Sequence, residues 1–326
     1  MAVEKGFRLW ANPSSPHAEG RAARRALEDA RERVKRALGW QGEVLFTSGA
    51  SEALGIALGR AKVDRRIVSA VEHDAVFRAA PDAELLPITD GAADRTLLEE
   101  LLAKGGRPLF AIQHVNSETG TILPVGDIAA QLREAGGSAL SDCSQSAGKL
   151  PLPDADMIVI SAHKFGGPIG IGALLLRGFA MLEPVGGHER GYRHGTENLP
   201  GALGMAAALE AGGIEDWATT AEQRSDFKNT LFRHGEVLSP GRQCSHIFAV
   251  AHPKLSAQAQ LIRLDAAGFA VSAGSACSSG TLKRSRALAG FGIAEDMAAR
   301  TIRVSLGWNT THEELERFVE AWRALS

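Results

Sequence analysis

The run Met157-Ile158-Val159-Ile160-Ser161-Ala162-His163-Lys164-Phe165-Gly166-Gly167-Pro168 decides the fold. Its four apolar residues read as a short buried strand of the kind that fills parallel sheets. A polar segment ending in a lysine follows, and then glycines and a proline that allow a ligand to approach the backbone closely.

The same pattern recurs along the chain. Val44-Leu45-Phe46, Ile67-Val68, Leu109-Phe110-Ala111-Ile112, Ala139-Leu140 and Ala173-Leu174-Leu175-Leu176 are β-type runs separated by helical stretches. The alternation predicts an α/β fold with a largely parallel sheet covered on both faces. Between Asn12-Pro13-Ser14-Ser15 and the first strand, Ala23, Leu27, Ala30, Val34 and Leu38 recur at helical spacing and predict an amphipathic helix.

Polar residues sit just beyond these strands: Thr47 and Ser48, His73, Asn116, Asp142 and Lys164. Open α/β sheets bind ligands at the carboxyl ends of their strands, so these residues are expected to converge on one crevice. A lysine there can form a Schiff base with an aldehyde cofactor. Ser161 and His163 flank it with groups suited to phosphate. Asp142 can hold a pyridinium nitrogen protonated or simply cap a helix, and at this point both readings stand. Thr47-Ser48-Gly49-Ala50-Ser51-Glu52 places hydroxyls and a glycine at a helix start, where backbone N–H groups attract phosphate.

Far downstream, Ser272-Ala273-Gly274-Ser275-Ala276-Cys277-Ser278-Ser279-Gly280 has almost no bulk apart from its cysteine. A thiol with so little to pack against is expected to be exposed and reactive, and Lys283, Arg284 and Arg286 favour its thiolate. Cys143 and Cys244 read as structural. Amine and thiol together point to pyridoxal phosphate chemistry on a sulfur-containing substrate.

Composition narrows the setting. The 326 residues carry a formal net charge of −2, with no block of like charges to serve nucleic acid. No apolar run is long enough to span a bilayer and the first residues lack signal-peptide order, so a cytoplasmic protein is expected. The three cysteines lack CxxC spacing, and His188-Glu189 and His312-Glu313 lack the second histidine of a zinc protease, so no metal site is expected. Gly148-Lys149 is not a P-loop, with Cys143 and Leu150 at its key positions.

The expected organisation is a short N-terminal segment (1–11), a large cofactor domain (12–213) and a small α+β domain (214–326) carrying the cysteine loop. In the last, helices are expected over about Asp216 to His234 and His312 to Leu325, with strands at Ile247-Phe248-Ala249-Val250, Phe269-Ala270-Val271 and Ile302-Arg303-Val304.

Taken in order, Phe46-Thr47-Ser48-Gly49-Ala50-Ser51-Glu52, Glu72-His73, Val115-Asn116-Ser117-Glu118-Thr119-Gly120, Asp142 with Gln145, Ser161-Ala162-His163-Lys164, Arg193-His194-Gly195-Thr196 and Gly274-Ser275-Ala276-Cys277 resemble the motifs of the NifS/IscS-like cysteine desulfurases, fold-type I pyridoxal phosphate enzymes. The resemblance covers nearly the whole chain. It implies conversion of L-cysteine to L-alanine, with the sulfur carried as a persulfide on Cys277. It further implies a homodimer that hands sulfur to an iron–sulfur scaffold or another sulfur-acceptor protein, for cluster assembly or tRNA thiolation.

By the same resemblance Lys164 matches the cofactor lysine, His73 the imidazole on the cofactor ring, Asp142 the partner of the ring nitrogen and Gln145 that of the ring hydroxyl. Ala50, Ser51, Ser161 and His163 match the phosphate side, and Thr196 the threonine supplied by the neighbouring subunit. Asn116 and Arg303 match the residues that hold the substrate carboxylate. The chain departs from the family at Ser51, Ser117 and His194, and only about eleven residues precede Asn12 where the family has a strand and turn. That difference is expected to alter activity or substrate choice. The alternatives are a selenocysteine lyase and a truncated homologue with a binding or regulatory role, although a binding module needs neither Lys164 nor Cys277.

Overall fold

The strand Met157–Ser161 is buried along its whole length, and its residues alternate between two separate cores. Ile158 and Ile160 join one core, and Met157 and Val159 the other, as the two-residue period of a strand requires. A strand with no wet face belongs inside a sheet covered on both sides. The computed structural model describes residues 1–274 and 285–325.

The strands are β1 (Glu43–Thr47), β2 (Arg65–Ser69), β3 (Glu84–Leu86), the small hairpin β4 (Ile88–Thr89) and β5 (Ala92–Ala93), β6 (Pro108–Ala111), β7 (Ser138–Asp142), β8 (Met157–Ser161) and β9 (Gly172–Leu176). The main sheet runs β1-β9-β8-β7-β6-β2-β3, with β9 antiparallel to both its neighbours and the remaining pairs parallel. The largely parallel sheet expected from the sequence is therefore present. Gly172 is required where β9 meets β1, because a Cβ there would lie 2.6 Å from the Ile160 carbonyl oxygen and 2.8 Å from the Gly49 Cα.

Helices α1 (Ala2–Arg8), α2 (Ala18–Leu38), α3 (Ala50–Arg60), α4 (Asp74–Ala79), α5 (Arg95–Ala103), α6 (Val125–Glu134) and α7 (Leu199–Glu210) surround the sheet. The core on one side takes residues from α2, α5, α6 and α7, and the core on the other from α3 and α4. On α2, Ala23, Leu27, Ala30 and Val34 form the buried stripe. The His17 ring caps its start by accepting from the Gly20 amide at 3.1 Å, and Gly39 ends it at φ 65°. The segment before Asn12 includes α1, which packs on α7: the backbone of Gly6 meets Pro200, and Val3 meets Gly204.

A second sheet of three antiparallel strands follows, β10 (Glu236–Leu238), β11 (Ile247–Ala251) and β12 (Thr301–Ser305). Helices α8 (Ala221–His234), α9 (Ala257–Ala266) and α12 (His312–Arg323) pack on it around Phe227, Phe248, Ile302, Phe318 and Trp322, while α10 (Arg286–Gly290) and α11 (Glu295–Ala298) are short connectors. Thr220 and Gln223 form a capping box that starts α8 later than the sequence pattern alone indicates. Phe269-Ala270-Val271 is not a strand. Phe269 and Val271 pack against the second core, and only Ser272 forms a β-bridge, to Arg303. Ile302 and Val304 point into that core, which leaves Arg303 between them to reach the carbonyl of Ser117 beyond β6.

Candidate active site

One cavity of about 840 Å³ opens at the carboxyl ends of the main-sheet strands, within the size range of small-molecule sites. Ala50, Ser51, His73, Asn116, Asp142, Gln145, Ser161, His163, Lys164 and Arg303 all line it. Thr196 does not line this cavity; it lies exposed on the loop before α7. Cys277 lies outside the described residues.

Each lining side chain is placed by the strand or turn that precedes it. Gly49 leaves β1 at φ 154°, a value that favours glycine, and α3 begins at the next residue. The first N–H groups of a helix have no partners within it and attract anions. Ser161 ends β8 on the same side, with its Oγ 3.0 Å from His163 Nδ1. Burial, and then Lys164, push the His163 imidazole below its ordinary value. Lys164 follows in the same turn. Burial lowers its ammonium most, Arg303 lowers it further, and Asp142 pulls it back. The result is an amine released from its proton more readily than an exposed lysine.

Asp142 ends β7, and its Oδ1 accepts from the Ser144 amide at 2.9 Å. Among the described residues its Oδ2 has no hydrogen-bond partner, which leaves it for a ligand in the cavity. The Gln145 carbonyl accepts from Lys149 Nζ and from His246 Nε2, each at 3.0 Å, so the turn after Asp142 is tied to the second sheet. Burial pushes His246 down to about 3, which keeps the ring neutral and makes Nε2 the donor in that bond. His73 caps α4, with Nδ1 accepting from the Ala75 amide at 3.1 Å, so Nε2 is its free nitrogen.

Asn116 is largely committed to its own turn. Its Oδ1 accepts from Glu118 N, Thr119 N and Thr119 Oγ1, and its Nδ2 donates to Val71 O at 3.1 Å. One amide hydrogen remains for a ligand. Arg303 donates to Ser117 O and to Ser272 Oγ, each at 3.0 Å, and its buried Nε has no partner among the described residues.

Glu72 and Glu118 are among the lining carboxyls that carry no assignment from the sequence. Burial raises both above the usual carboxylate range, Glu72 to about 8. Glu118 accepts from Ser285 Oγ at 2.6 Å. Their signal in the sequence is slight: an acid beside a strand-end polar residue is common on surfaces, and only packing buries these two.

The residues fit pyridoxal phosphate. One cavity brings together an anion-binding helix start, a hydroxyl with an imidazole beside it, a carboxylate at the end of β7 and a desolvated amine. Among the described residues no group of three or more His, Cys, Asp or Glu could hold a metal ion, and no helix is long and apolar enough to cross a membrane.

The aminotransferase class-V family matches residues 4–318. Cysteine desulfurase IscS of Dictyoglomus turgidum is 33% identical, over 97% of this chain and 89% of its own length. The NifS-like protein of Rickettsia africae superposes with a TM-score of 0.87 at 25% identity, covering 99% of this chain and 94% of that one. SspA, solved in complex with cysteine, superposes with a TM-score of 0.77 at 27% identity, covering 95% and 96%.

Proposed function

The chain belongs to the cysteine desulfurases of the aminotransferase class-V family, and from that premise we propose that its cavity takes L-cysteine together with pyridoxal 5'-phosphate anchored at Lys164. When bound, the cofactor supplies an electron sink for the pair left as the substrate Cα–H bond breaks. The start of α3, with Ala50 and Ser51, holds the phosphate together with Ser161 and His163. Asp142 uses its free Oδ2 to keep the ring nitrogen protonated, Gln145 bonds the ring hydroxyl, and His73 packs on the ring. Arg303 and the remaining amide hydrogen of Asn116 hold the substrate carboxylate.

Lys164 Nζ takes the Cα proton, a task favoured by an amine whose protonated form burial disfavours. The Cys277 thiolate then attacks the substrate sulfur. The Cβ–S bond breaks and an S–S bond forms; the bonding pair stays with the substrate, Cβ takes up a proton, Lys164 returns the proton to Cα, and the product leaves as L-alanine. Cys277 keeps the sulfur as a persulfide. The likeness to SspA, whose structure holds cysteine, supports the substrate.

The finer setting is part of the same reading. The protein works as a cytoplasmic homodimer in which exposed Thr196 serves the partner subunit's cavity, with residues 12–213 as the cofactor domain and 214–326 as the domain carrying Cys277. The acceptor is an iron–sulfur scaffold or another sulfur-carrying protein. The observation that carries the proposal is a desolvated Lys164 amine in one cavity with Asp142, His73 and the start of α3. The purified holoenzyme should be yellow and release alanine from cysteine, and Lys164→Ala should lose both. Unchanged turnover in that variant would sink the proposal.

A further inference from the structure

Glu72 is the most unusual polar residue in the cavity wall. It is 4% exposed, and its Oε1 accepts two hydrogen bonds, from Ser69 Oγ at 2.5 Å and from the Gln113 amide at 2.8 Å. Its Oε2 is buried with no partner among the described residues. An ionised carboxylate would present a negative oxygen to no donor among those residues, and an unpaired buried charge is strongly disfavoured. A neutral acid places a hydrogen on that oxygen instead.

The surrounding charges point the same way. Asp142 stands at the end of β7, His73 and Asp74 at the start of α4, and Lys164 and Arg303 elsewhere on the cavity wall. Among the described residues none of the cations pairs with Glu72, and the charge that acts on it is the like charge of Asp142. Burial is the larger influence, and that like charge adds to it in favouring the proton on Glu72. Glu72 also sits in a tightly held turn. The Val71 carbonyl accepts from the Gln113 side chain and from Asn116 Nδ2, so the turn before His73 is fastened to the segment after β6 at three points.

We infer that Glu72 is a positioning residue that stands in the folded protein as the neutral acid, with its proton on Oε2. It fixes the turn that presents His73, and as a neutral group it adds no second negative charge to the part of the cavity wall that holds Asp142. The protonation follows from the cavity wall alone; the consequence for Asp142 rests on the proposed cofactor reading.

Infrared spectroscopy of the holoenzyme with isotope-labelled glutamate tests this. A protonated-carboxyl C=O band should be present near neutral pH, be absent in Glu72→Gln, and fade as pH rises through about 8. Melting temperatures give a second readout. An acid whose folded value is raised keeps its full stabilising contribution below its unfolded value and loses it as pH rises through the folded value. The melting temperature of Glu72→Gln minus that of the wild type should therefore grow from about pH 4.5 to about pH 8 and then level.

Below about pH 8 Glu72→Gln exchanges neutral for neutral, so it should leave the cofactor's colour unchanged near neutral pH. A missing band near neutral pH, a flat melting difference or a changed colour near neutral pH each overturns the inference. A colourless protein that still shows the band supports it while sinking the cofactor reading.

Discussion

Glu72 and Glu189 are buried to nearly the same depth, 4% and 2% exposed, yet the fold uses them in opposite ways. Glu189 faces a cation. Arg31 on α2 donates to its Oε2 at 2.8 Å, the Phe46 amide on β1 donates to the same oxygen at 3.0 Å, and the guanidinium lies 4.8 Å from the Phe46 ring centroid. Burial pushes the Glu189 carboxyl up, and Arg31 pulls against that shift while its own value rises. Among the described residues Glu72 has no cation, and it keeps a proton in its place. A buried acid can thus be a fixed anchor or a neutral spacer, and the partner decides which.

The anchor also holds strained backbone. Glu189 and Arg190 adopt φ of 46° and 57°, a region that costs a side-chain-bearing residue of order 1–3 kcal/mol. The Arg31–Glu189 pair ties this stretch to α2, the Phe46 amide ties it to β1, and the His188–Glu197 contact at 3.0 Å closes the loop that carries Thr196. Strain and a buried ion pair therefore meet in this loop, while Glu72 in the cavity wall is held by hydrogen bonds from neutral groups.

The largest expected effect comes from taking the cation away. Arg31→Met leaves Glu189 buried and uncompensated and should cost about 3–5 kcal/mol in urea unfolding. A loss below about 1 kcal/mol would mean that the pair holds nothing, on the scale of an exposed ion pair. Glu72→Gln runs the other way, its relative stability rising with pH as set out above. The smallest effect belongs to the next residue of the same loop. Arg190 contacts Glu28 at 3.1 Å from an exposed position, so Arg190→Ala should change stability by no more than about 1 kcal/mol. A larger loss there would erase the contrast between the buried and exposed members of the loop.

Much of this was legible in the sequence because it is local. The alternation within Met157–Ser161 and the stripe on α2 are periodic patterns that need no knowledge of neighbours. The strand-end rule then brought His73, Asn116, Asp142 and Lys164 to one crevice. What escaped depends on contacts between distant segments. Phe269-Ala270-Val271 has strand composition, but a strand needs a bonded neighbour and only Ser272 finds one. Helix α1 contains a glycine and is held by Pro200 and Gly204 of α7, so propensity gives little sign of it. Glu72 and Glu189 read alike as glutamates, and only their partners separate them.

The central claim concerns where the sulfur goes. Cys143 and Cys244 are buried, and burial pushes the Cys143 thiol up to about 12, far from a working thiolate. Mass spectrometry of the holoenzyme after treatment with L-cysteine should therefore find one extra sulfur on Cys277 and an equal amount of L-alanine in solution. Extra sulfur on Cys143 or Cys244, or persulfide formed without alanine, would contradict the account.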